Sequence, residues 1–144
     1  MDRLIKISLI LLSIHIFTIA AAAGDYDGSK PLLFSVVKVF ECTNEDACRE
    51  VTPESVNLPQ FLKIDFDQKT IIPPSESTAR PPTVIERIEK VDGKLILQGA
   101  EDSLENVRDG VGWTMAISEE TGKTVLTASG EQIGFVVFGA CIAQ

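Results

Sequence analysis

The chain has 144 residues, with 13 Lys and Arg against 21 Asp and Glu, a formal net charge of −8 at pH 7 and a single histidine, His15. That length suits one domain with a core of its own. The acidity repels phosphate backbones and anionic headgroups, which argues against nucleic-acid and membrane-surface binding.

The first residues read as an address. Arg3 and Lys6 precede an apolar stretch from Ile7 to Ile19, and Ala20 to Ala23 follow. This is the pattern of a secretory signal peptide with an Ala-x-Ala site, cut after Ala23. The apolar run falls short of the roughly 20 residues that span a bilayer, and no cysteine stands at the cut to take a lipid. Residues 24–144 are therefore expected to be a single exported β domain, periplasmic or secreted, with no stable membrane insertion after cleavage. Asp2, Arg3 and Lys6 lie in the leader, so the remainder holds 11 cationic and 20 acidic side chains and a net charge of −9. It also has no histidine, which removes Ser-His-Asp and Cys-His catalysis and every His-ligated metal site. No cofactor and no metal are expected.

Strand signals dominate the rest. Leu32 to Glu41 is rich in β-branched and aromatic residues and reads as the first strand, with Phe40 a core residue. Residues 42–60 are polar and broken by Pro53 and Pro59. They read as a loop with at most one short helical turn near residues 53–57, which Thr52 caps and Pro53 opens. Phe61 to Asp67 alternates, with Leu62, Ile64 and Phe66 on one face and Lys63, Asp65 and Asp67 on the other. Thr70-Ile71-Ile72 extends that strand or starts its partner, and a proline-punctuated linker runs to Pro82.

Thr83 to Lys90 and Lys94 to Gln98 form a hairpin around Val91-Asp92-Gly93, because Asp-Gly tolerates the positive φ angles of tight turns. A second hairpin joins Gly112–Ile117 to Lys123–Thr127 through Gly122, and a third turns at residues 130–134 into a last strand, Phe135 to Ile142, with Phe138 in the core. The fold class is all-β and mainly antiparallel, a small barrel or sandwich of seven to eight strands.

Three cysteines remain. In an oxidising compartment two should pair. Cys42 with Cys48 is the favoured bridge, and Cys141 is free or an alternative partner. Cys141 sits in an apolar run with no neighbouring cation, which suits a buried, inert thiol. The acidic run from Glu101 to Asp109 is a candidate surface for a partner, with Glu101, Asp102, Glu105 and Asp109 as contacts; its oxygens also resemble calcium donors, without the spacing of an EF-hand loop. Asp65 and Asp67 share a strand face, which a hydrolase pair requires and a solubilising outer face explains equally.

Trp113 follows two glycines at the start of a strand and reads as a core residue. Were the barrel hollow, Phe66, Trp113, Met115 and Phe135 would line the cavity. The expected function is a non-enzymatic exported binding protein, an acidic inhibitor or adaptor for a cationic protein. The alternative is a small β-barrel that carries an apolar ligand. A carboxylate-based hydrolase using Asp65 or Asp109 ranks third.

Overall fold

Alternation sets the first strand. In β1 (Leu32–Thr43) Leu32, Phe34 and Val36 are buried, and the next buried residue is Val39, three positions on. The slip is a β-bulge, since the pairing register shifts between Val36 and Lys38 and leaves the extra residue, Val37, 73% exposed. The computed structural model describes residues 25–74, 81–102 and 110–144. The expected signal peptide and most of the acidic run, Glu105 and Asp109 included, lie outside the described residues.

The other strands in chain order are β2 (Arg49–Val51), β3 (Phe61–Asp65), β4 (Thr70–Ile72), β5 (Thr83–Val84), β6 (Arg87–Val91), β7 (Lys94–Glu101), β8 (Val111–Ser118), β9 (Lys123–Ser129) and β10 (Ile133–Ala143). They make one antiparallel sheet in the order β5-β4-β3-β1-β10-β9-β8-β7-β6, with β2 paired to the second half of β1. The sheet curls into a half-barrel. Its two ends are tied by one continuous segment, because β5 pairs with β4 while β6 pairs with β7. At the crossing, Ile85 N donates to Lys69 O at 2.8 Å and Glu86 N donates to Gln98 O at 2.9 Å.

The all-β, antiparallel reading of the sequence holds, with more strands than seven or eight. The additions are short. The stretch expected as a loop contains β2 and a 3-10 turn, Pro53–Val56, whose N-cap Thr52 accepts from Ser55 N as anticipated. The stretch expected as one strand from Thr83 to Lys90 breaks at Ile85, where the chain changes partners. The Asp92-Gly93 turn forms as expected, with φ of 50° and 74° between the paired Val91 and Lys94.

The core comprises the inward positions of the sheet, among them Phe34, Ile64, Ile85, Leu97, Met115 and Ile117, each no more than 1% exposed. Two expected core residues are not there. Phe138 is 43% exposed and Phe40 is half-buried; they stand on the outer face of the sheet and pack edge to face at 6.1 Å between ring centroids. The bulge at Val37 explains Phe40, because the extra residue reverses the facing of everything beyond it.

Candidate functional site

The buried residues differ in a telling way. Leu32, Leu95, Leu97 and Ile117 keep at most 1% of their surface, whereas Leu62, Ile71, Trp113 and Leu126 keep 6–9%. The second group lines a pocket of about 130 Å³. One end of the curled sheet is thus filled by side chains, with Tyr26 and Phe66 packed against the core, and the other retains a hollow.

Each wall follows from strand alternation. Leu62 and Ile71 come from β3 and β4, Met115 and Trp113 from β8, and Leu126 and Ala128 from β9. Leu58 and Pro59, after the 3-10 turn, close one side, with Pro73 and Pro81 at the rim. A small residue makes room for the indole. Gly99 of β7 is paired with Trp113, and a Cβ there would stand 2.6 Å from indole Cζ2 and 2.6 Å from the carbonyl oxygen of Val84. Two opposed backbones and a large ring fit together only because position 99 has no side chain.

Two polar features break the apolar lining. Thr83 and Glu101 both line the pocket, and the Thr83 hydroxyl donates to Glu101 Oε1. The indole Nε1 of Trp113 is buried and has no hydrogen-bond partner among the described residues. A buried donor left without a partner costs roughly 1–3 kcal/mol. Trp113 also borders a second, more polar cleft with Gln98, Thr114 and Thr127.

Compared with known proteins, the chain matches no family model, no curated protein and no solved structure. The pocket must therefore be read from its own chemistry.

Of the residues expected to line a cavity, Trp113 and Met115 do so; Phe66 and Phe135 are not among those around it. Glu101, expected as a partner contact beside Asp102, borders the pocket, and Asp102 is exposed. The sequence signal for Glu101 was available, since it continues the inward series Leu95, Leu97, Gly99. The signal for Leu62, Ile71 and Leu126 was only their apolar alternation, which does not separate a wall from a filled core.

The other candidates resolve differently. Cys42 and Cys48 form a disulfide, and Cys141 is free and buried. Burial pushes the Cys141 thiol up to about 11, against the opposing effect of its contact with Thr124 Oγ1 at 3.3 Å. Asp65 Oδ1 accepts from Gln68 N at 3.0 Å and its Oδ2 lies 3.8 Å from Lys63 Nζ, so it shapes the turn after β3. Asp67 lies within that turn, beyond the strand it was expected to share. Among the described residues, no group of three or more His, Cys, Asp or Glu is placed to hold a metal.

Proposed function

We propose that this protein is a non-enzymatic binding module whose half-barrel takes a small, largely apolar ligand at the Trp113 end. The observation that carries this reading is an apolar pocket of about 130 Å³ lined by Leu62, Ile71, Trp113, Met115 and Leu126. Engineered dry cavities of roughly 150 Å³ hold a benzene-sized molecule, so the pocket suits a ligand of about six heavy atoms or the tail of a longer one. Titration with pentan-1-ol and cyclohexanol should shift Trp113 emission saturably and raise the thermal midpoint. Ala128→Leu, which adds bulk to the lining, should remove the response. A flat titration across small neutral ligands of this size would sink the idea.

Export belongs to this reading. Disulfides persist in oxidising compartments, and the Cys42–Cys48 bridge supports such a location. Among the described residues no helix is long and apolar enough to cross a membrane. N-terminal sequencing of the protein recovered from its native source should begin at Gly24; a blocked or intact Met1 would contradict cleavage.

A second reading rests on charge. With −8 overall, the protein would attract a cationic partner at long range. A pull-down that retains a basic protein at low salt and releases it at moderate salt would support this reading, and retention of no protein would count against it.

A further inference from the structure

Glu101 is the one charged side chain among the described residues that line the pocket. It belongs to no ion pair among the described residues, and its hydrogen bond there, from the Thr83 hydroxyl, is made to Oε1 alone. A half-buried carboxylate bonded by a neutral hydroxyl, with apolar walls behind it, favours an incoming cation over a neutral group or an anion. Gly99 is paired with Trp113, and Glu101 lies two residues further along the same face of β7, so the carboxylate stands one diagonal position from the indole that lines the same pocket.

The geometry points to a small cationic amphiphile as the ligand, a protonated primary amine on a short hydrocarbon chain. Its ammonium pairs with Glu101 and its chain lies against Leu62, Ile71, Met115 and Leu126. This inference rests on the small-ligand reading above and adds the sign of the ligand's charge. The overall acidity of the protein acts in the same direction, drawing cations towards it and repelling anions.

The test uses three probes of one chain length, pentylammonium, pentan-1-ol and pentanoate, titrated into the protein at pH 7 by calorimetry and by Trp113 fluorescence. Pentylammonium should bind at least about tenfold more tightly than pentan-1-ol, with pentanoate weakest. Glu101→Gln should bring the amine to within about threefold of the alcohol. Equal affinities, or a preference for pentanoate, would overturn the cation assignment while the small-ligand reading stands. Binding of none of the three would overturn both. The comparison on the unmodified protein decides the sign of the charge even if the Gln variant folds poorly.

Discussion

Gly99 has no side chain, and the ring of Trp113 takes the space one would fill. Gly99→Ala would bring a methyl to 2.6 Å from both the indole and the Val84 carbonyl, so one or both must shift. The expected loss is about 1–3 kcal/mol in a denaturant titration, as for other overpacked sites, together with an altered Trp113 emission. Cys141 gives a prediction of the opposite character. Its thiol should resist aromatic disulfide reagents in the native protein and react fully once unfolded. The pH dependence follows from burial. Its folded pKa is about 11 against an ordinary value of 9.0, so above pH 9 the unfolded chain loses a proton that the folded chain keeps. Stability should fall between pH 9 and 11 by up to about 2–3 kcal/mol. Comparison with Cys141→Ala across that range isolates this part from the lysines. Sequence alone supported a buried thiol, through the apolar run around it. It was silent on Gly99, whose partner is known only once β7 and β8 are in register.

Elements with a local cause were the legible ones. The Asp92-Gly93 turn follows from two residues that tolerate positive φ, and Gly93→Ala, with no atom near the new methyl, tests that cause in isolation. The cost should be about 1 kcal/mol, all of it conformational. The β3 alternation and the capped turn at Thr52 were equally readable. The bulge at Val37 was not, because an extra residue in one strand is defined against its neighbour, and β10 is nearly a hundred residues away in sequence. Phe40 was misplaced for that reason. The disulfide is also a local device. It closes a loop with a sequence separation of 6, and the cysteines lie outside the buried core. Reduction should lower stability by about 2 kcal/mol and leave the sheet folded, as circular dichroism with and without reductant would register.

Across the whole molecule, closure rests on the segment that passes from β4 to β7. Ile85 lies at the crossing and is 1% exposed, whereas its neighbour Val84 is 56% exposed. Ile85→Ala should cost about 2–5 kcal/mol, and Val84→Ala no more than about 0.5 kcal/mol. Similar losses for both would mean that the crossing does not hold the ends together. The sequence presented this segment as half of an ordinary hairpin, since its change of partner depends on contacts far away in the chain. The same remoteness hid the pocket, whose walls come from seven separate stretches brought together only by the complete sheet. The pairing of β1 with β10 has a further consequence for how the protein is made. The earliest strand sits mid-sheet against the latest, with Leu32 opposite Ala143, so the seam stays open until the 11 residues of β10 have been synthesised. Until then β1 and β9 each lack the neighbour that β10 supplies, and a nascent chain in that state carries unpaired edges open to capture by holdase chaperones.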